Sequence, residues 1–243
     1  MFSVVAKTDI GQKRSVNEDA YYVDPGKGIF IVADGMGGHK SGARASKLCI
    51  AAIMEYLGSV PLEEVDEQHL ERAIRISNKV VCEASRAEGV TMGATVVVGI
   101  VKRDSFLVAH VGDSRAYYFD GSRLKRLTDD HSNVFRLVKQ GKLTEEEARV
   151  HPWSNLINRA IGLEEDVEAE VQSVPYSGET ILLCTDGLTD MLPKKEIEKL
   201  FLEHSDLNTL CDLLIRKANQ GGGRDNITVI LACPGNTGYA RNE

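Results

Sequence analysis

Four carboxylates stand where apolar runs stop. Residues 29–33 end at Asp34-Gly35, residues 180–185 lead into Asp186-Gly187, residues 106–112 lead into Asp113, and Asp225-Asn226 opens the last apolar run. A single Asp-Gly is an ordinary turn. Four strand-end carboxylates, joined by Asn17-Glu18-Asp19 after the first run, exceed what turns require. Their convergence is an inference from that placement. Gathered carboxylates repel and raise one another's pKa, so a site that keeps several of them ionised needs a cation. Oxygen-only ligands select hard ions, Mg2+ or Mn2+, over zinc. His39, His69, His110, His131, His151 and His204 contain no H-E-x-x-H and no closely spaced pair that would offer a zinc alternative. Two such ions can hold a bridging water, bring its pKa towards neutrality and align it with a phosphorus atom, without a side-chain nucleophile. Arg14, five residues before Asp19, is the candidate partner for phosphoryl oxygens, because a guanidinium pairs bidentately with phosphate.

The elements that carry these residues are strands of Val- and Ile-rich character at 2–8, 28–33, 94–101, 106–111, 116–119, 167–174, 180–184 and 227–232. Helical stripes fall between them: Ala45, Cys49, Ala52, Ile53 and Leu57; Leu70, Ile74, Ser77, Val81 and Ala84; and, after Asp206, Leu207, Leu210, Cys211, Leu214 and Ala218. Short connections at 25–28, 102–104 and 120–122 fit hairpins, so the sheets are expected to be mostly antiparallel. Strands and helices come in blocks, which favours an α+β layered sandwich over a doubly wound fold. Residues 130–160 are polar and read as a partly helical surface excursion or a flap beside a site, with Thr144 and Glu147 spaced as a capping box. Trp153 is expected to pack locally with Pro152, the glycine run 221–223 to form a turn that brings Arg224 and Asp225 to the site edge, and Cys184 to be a core thiol.

The chain has 243 residues and a net charge of −7, with no run of Lys or Arg, which argues against nucleic acid or an anionic membrane as partner. Five cysteines, odd in number and without C-x-x-C, suit reduced thiols in the cytoplasm. No stretch has the length of a signal peptide core or of a membrane span. The glycines 35–38 match neither G-x-G-x-x-G nor G-x-x-x-x-G-K-[ST], which removes an ordinary nucleotide-binding loop.

Six motifs in order complete the pattern: Arg14-x-x-Asn17-Glu18-Asp19, Asp34-Gly35-Met36-Gly37-Gly38-His39, Met92-Gly93-Ala94-Thr95, Gly112-Asp113-Ser114-Arg115, Thr185-Asp186-Gly187-Leu188-Thr189-Asp190 and Arg224-Asp225-Asn226-Ile227-Thr228. Together they resemble the metal-dependent (type 2C, PPM) protein serine/threonine phosphatases in their compact bacterial form, across almost the whole chain. The resemblance implies one catalytic domain over 1–243 with a flap at about 131–160, built as a four-layer α-β-β-α sandwich of two antiparallel sheets flanked by helix pairs. It implies that Asp34, the Gly35 carbonyl, Asp186 and Asp225 hold two Mn2+ or Mg2+ ions, with Glu18 or Asp19 as a further direct or water-mediated ligand. Asp113 and Asp190 match the positions of a third, weaker ion, and Arg14 matches the phosphate-binding arginine. The implied reaction is hydrolysis of phosphoserine and phosphothreonine by direct attack of a hydroxide bridging the two ions. The implied partners are phosphoproteins, among them a eukaryotic-like Ser/Thr kinase, and the expected state is a cytoplasmic monomer. An inactive binding module on the same fold is the alternative, and it would have lost metal carboxylates. Met36 departs from the eukaryotic pattern, which places a His directly after Asp-Gly as general acid. His39 and water on the third ion are the competing proton donors.

Overall fold

The computed structural model describes residues 1–38 and 40–235. Two five-stranded sheets face each other. The first runs in the order β1 (Phe2–Asp9), β12 (Ile227–Pro234), β11 (Thr180–Cys184), β8 (Arg115–Phe119), β9 (Leu124–Arg126). The second runs β10 (Glu170–Pro175), β7 (Ser105–Val111), β6 (Val96–Val101), β3 (Ile29–Ala33), β2 (Ala20–Asp24). A two-residue pair, β4 (Gly35–Met36) with β5 (Gly93–Ala94), sits beyond β3. Every pairing among these strands is antiparallel. The connections at 25–28, 102–104 and 120–122 are hairpins between β2 and β3, β6 and β7, and β8 and β9.

The layers follow from which faces are apolar. Phe30, Val32, Val97, Phe106, Ile181, Leu183 and Ile230 interdigitate between the sheets. The outer face of the second sheet packs against α1 (Lys40–Gly58) and α2 (Glu67–Glu88) through Cys49, Ile53, Leu70 and Ile74, the stripes read from the sequence. The outer face of the first packs against α6 (Lys194–Glu203) and α7 (Leu207–Gln220). The result is the expected α-β-β-α sandwich. Asp66 and Asp206 cap α2 and α7 by accepting the His69 and Thr209 backbone N–H groups. Residues 131–160 hold α3 (Asn133–Lys139) and α4 (Glu145–Arg149), and Thr144 and Glu147 form the predicted capping box.

Four elements differ from the sequence expectation. β2 and β9 are strands that the apolar runs did not show, and the strand expected over 167–174 lies at Glu170–Pro175. α6 follows Pro193 and buries only Ile197, Leu200 and Phe201, too short a stripe to stand out. All five thiols are free, and no helix among the described residues is long and apolar enough to cross a membrane.

Antiparallel pairing brings one set of strand ends together. The C-terminal ends of β1, β3, β7 and β11 and the N-terminal ends of β2, β6, β8 and β12 all lie at the same end of the sandwich. That register, set by alternating side chains of the core, delivers the carboxylates.

Candidate metal centre

Asp34, Asp186, Asp19 and Asp113 are close enough at this end to perturb one another. Burial first, then the charges of Asp19, Asp113 and Asp225, push the Asp34 carboxyl well above the ordinary range, and a hydrogen bond with Asp186 only partly offsets this. Burial and the charges of Asp34, Asp113, Asp190 and Asp225 do the same to Asp186. Burial carries Asp19 to about 7, against two hydroxyl hydrogen bonds. Asp113 reaches about 7 through burial and Asp130, and Asp190 about 6 through burial, Arg115 opposing in both cases. The strand-end residues Asp34, Asp113, Asp186 and Asp225, with Asp19, thus lie within electrostatic reach of one another.

Hydrogen bonds hold Asp19 through one oxygen, and one oxygen each of Asp19 and Asp186 is left without a donor. Asp19 Oδ2 accepts from Thr185 Oγ1 at 2.9 Å and Thr228 Oγ1 at 2.6 Å, while its Oδ1 is buried without a hydrogen-bond partner. Asp186 opens α5 (Asp186–Thr189), and its Oδ1 is likewise buried and unpartnered. Buried anionic oxygens without donors are costly, and a divalent cation is the group that satisfies them. The donors are all oxygens, so Mn2+ or Mg2+ fits and zinc does not.

Asp225 and Arg14 form the rim. Arg14 Nη2 lies 2.5 Å from Asp225 Oδ2, and its side chain is half exposed, so its guanidinium is within reach of both solvent and the carboxylates. The Asn226 backbone N–H donates to Asp225 Oδ1 at 2.8 Å. Glu18 is buried beside α1: an ideal Cβ built on Gly42 would fall 1.8 Å from Glu18 Oε2. Gly35 is equally confined, since a Cβ there would meet the Gly42 carbonyl oxygen at 2.1 Å and that of Glu18 at 2.5 Å. Both obstacles are backbone and cannot swing aside. Gly35→Ala is therefore expected to destabilise the chain by about 1–3 kcal/mol, a fall in Tm of roughly 3–10 °C; thermal denaturation of the metal-free variant checks it, and an unchanged Tm would contradict the close approach of β4 to α1.

Several residues that the motifs contain without an assigned role prove to be supports of the site. Asn226 is a hub: its Oδ1 accepts the Glu18 N–H at 2.8 Å, and its Nδ2 donates to the Ile10 and Val16 carbonyls, each at 3.0 Å. Thr185 and Thr228 orient Asp19, and Thr95 Oγ1 accepts the Asp34 N–H at 3.2 Å. Arg115 clasps Asp130 with two bonds of 2.9 and 2.6 Å, and Arg126 pairs with the same carboxylate. Thr95, Arg115, Thr185, Asn226 and Thr228 all stand in the six sequence motifs, which give them no individual role. Arg149 at the end of α4 donates from Nη1 to the Asp190 carbonyl at 2.7 Å, which ties the 131–160 segment to the site. Trp153 does not bury against Pro152; it is 60% exposed and edges onto the His151 ring. Cys184 is buried, its thiol pushed up to about 12, as a core thiol should be. Gly222 and Gly223 adopt positive φ in the turn before Arg224. His39 lies outside the described residues.

A model of the protein phosphatase 2C family matches residues 10–221. The chain is 39% identical over 235 residues to the serine/threonine phosphatase stp of Listeria monocytogenes serotype 4b, covering 93% of each. It is 36% identical over 231 residues to the protein phosphatase PhpP of Streptococcus pneumoniae serotype 2, covering 92% of this chain and 94% of the relative. The crystal structure of the catalytic domain of the serine threonine protein phosphatase PstP in complex with two manganese ions superposes with a TM-score of 0.85 at 32% identity, over 96% of this chain and 97% of that one.

Proposed function

From the premise that this chain belongs to the protein phosphatase 2C family, we propose that it hydrolyses phosphoserine and phosphothreonine in proteins, using two Mn2+ or Mg2+ ions. The observation that carries this is the set of buried, mutually repelling aspartates with two buried, unpartnered oxygens at one end of the sandwich. Asp34, the Gly35 carbonyl, Asp186 and Asp225 are assigned to the two ions, with Glu18 or Asp19 as a further direct or water-mediated ligand, and Asp113 with Asp190 to a third, weaker one. Bound there, the ions supply positive charge to the phosphoryl oxygens and acidity to a water.

The chain's own residues do the rest. Arg14 stands at the rim, where its fork can take two phosphoryl oxygens. Thr185 and Thr228 hold Asp19, and Asn226 holds the Glu18 backbone, so the carboxylates are fixed before substrate arrives. Proton donation to the leaving alkoxide falls to His39 or to a water at the Asp113–Asp190 pair. We place the whole chain in one catalytic domain with residues 131–160 as its flap, and the protein in the cytoplasm as a monomer that reverses the action of a Ser/Thr kinase. The alternative of an inactive binding module would require lost carboxylates, and Asp34, Asp186 and Asp225 are all in place.

Steady-state hydrolysis of a phosphothreonine peptide and of p-nitrophenyl phosphate tests the proposal: turnover with Mn2+ and none with EDTA is expected. Absence of turnover in folded, metal-loaded protein would return the binding module. Arg14→Ala is expected to raise KM about tenfold with kcat changed only a few-fold, since the arginine binds phosphate in ground and transition states alike. A pure loss of kcat would remove Arg14 from that role.

A further inference from the structure

We propose that His131 is a positioning residue for Asp113: it fixes the backbone turn that aims this carboxylate, and thereby sets the affinity of the third ion. The inference rests on the assignment of Asp113 and Asp190 to that ion.

Gly112 precedes Asp113 with φ of +100°, and a Cβ on it would fall 2.6 Å from Thr95 Cγ2, so only glycine fits. Glycine restrains its own backbone least of all residues. The restraint comes from residue 131 at both polar groups of Gly112. The Gly112 N–H donates to His131 Nδ1 at 3.1 Å, and the Gly112 carbonyl accepts the His131 backbone N–H at 3.0 Å. His131 is itself immobilised. It is 5% exposed, its ring stacks on His110 with centroids 4.6 Å apart, and its carbonyl accepts the Asn158 N–H at 2.7 Å.

His110, His131 and Glu170 place one potential ligand atom each within 4.8 Å of one another, the grouping of a transition-metal site. The hydrogen bonds assign it differently. Because a backbone N–H points at Nδ1, the neutral His131 ring carries its proton on Nε2, the buried atom that faces Glu170 Oε1 at 3.3 Å and that a metal would need bare. His131 is therefore an acceptor for Gly112 and not a ligand.

Two substitutions separate positioning from mere packing. In His131→Asn the side-chain Oδ1 takes the place of Nδ1 and keeps an acceptor for the Gly112 N–H; in His131→Gln the polar end lies at the Nε2 position and that acceptor is lost. Packing alone orders them the other way, because asparagine leaves the larger void. The readout is the electron paramagnetic resonance signal of free Mn2+, titrated into each chain to count ions bound, beside Tm. We expect His131→Gln to weaken the weakest Mn2+ site by about 10- to 100-fold, the usual cost of a lost outer-shell support, and His131→Asn to stay within a few-fold of the parent despite a lower Tm. In an Asp113→Asn background the two substitutions should give the same Mn2+ isotherm, since the carboxylate they act through is gone. Equal isotherms for Gln and Asn in the parent background, or a Gln effect that persists with Asp113→Asn, would overturn the positioning role. Asp113→Asn that still fills a weak site would overturn the third-ion assignment and this inference with it, a result distinguishable because it needs no change at His131.

Discussion

Replacing Asp34 or Asp186 with asparagine is expected to lower kcat by about a thousandfold while raising the Tm of the metal-free chain at pH 8. The two effects have opposite sign because one charge causes both. Asparagine keeps the size and hydrogen-bonding outline of aspartate but cannot carry the negative charge. In the metal-free chain that charge is a liability: burial and the neighbouring carboxylates push the pKa of Asp34 and Asp186 well up, which states that the ionised form is disfavoured there. At pH 8 the folded chain must either carry that charge beside Asp113 and Asp225 or hold a proton that the unfolded chain has released, and asparagine removes both costs. With metal present the same charge is what holds the ions, and electrostatic groups of this kind carry about 10²–10³ in turnover each. Turnover assays with saturating Mn2+ and melting curves in EDTA, on the same preparations, read both. A variant that lost activity and also melted lower without metal would show that Asp34 or Asp186 supports the fold by contacts instead of straining it by charge.

That conflict between fold and site explains what the sequence could and could not disclose. Strands β3, β7, β11 and β12 are fully buried over most of their length, and their near-continuous apolar runs made the aspartates at their ends visible as interruptions. β2 escaped because, on an edge strand, Tyr21 is exposed and Tyr22 only partly buried, and its hydrophobic pattern is correspondingly weak. Asn226, Thr185 and Thr228 act through register: Thr228 lies across from Thr8 in the β1–β12 ladder, and Thr185 donates to Asp19, which is 166 residues away. No local spacing encodes such a pair. The same holds for Arg115 and Asp130, whose bond depends on the loop after β9 folding back on β8. Propensity and periodicity report on single elements; the supports of a site built at the ends of two sheets report on how the elements are stacked.

The stability of the metal-free chain is expected to fall as pH rises from 6.5 to 8, and added Mn2+ to restore it. Asp19 and Asp113, at about 7, and Asp34 and Asp186, well above the usual range, hold protons in the folded chain that the unfolded chain, with carboxyls at 3.8, has already released. The folded state therefore binds more protons, and the free energy of unfolding decreases with pH until these groups have titrated. Below about 6.5 the slope is opposed, because His110 and His131, kept neutral by burial, accept protons only on unfolding. The window above 6.5 isolates the carboxylates. Mn2+ binds the ionised site, so its effect should grow over the same window: at a hundredfold excess over Kd it contributes about 2.7 kcal/mol, a rise in Tm of roughly 5–10 °C for a chain of this size. At pH 5 the shift should be much smaller, because protons already occupy the carboxylates that the ion needs. Calorimetric scans in EDTA and in Mn2+ at pH 5, 6.5 and 8 test this, and an EDTA Tm that stayed level or rose between pH 6.5 and 8 would mean that the aspartates are already neutralised by something other than protons or metal.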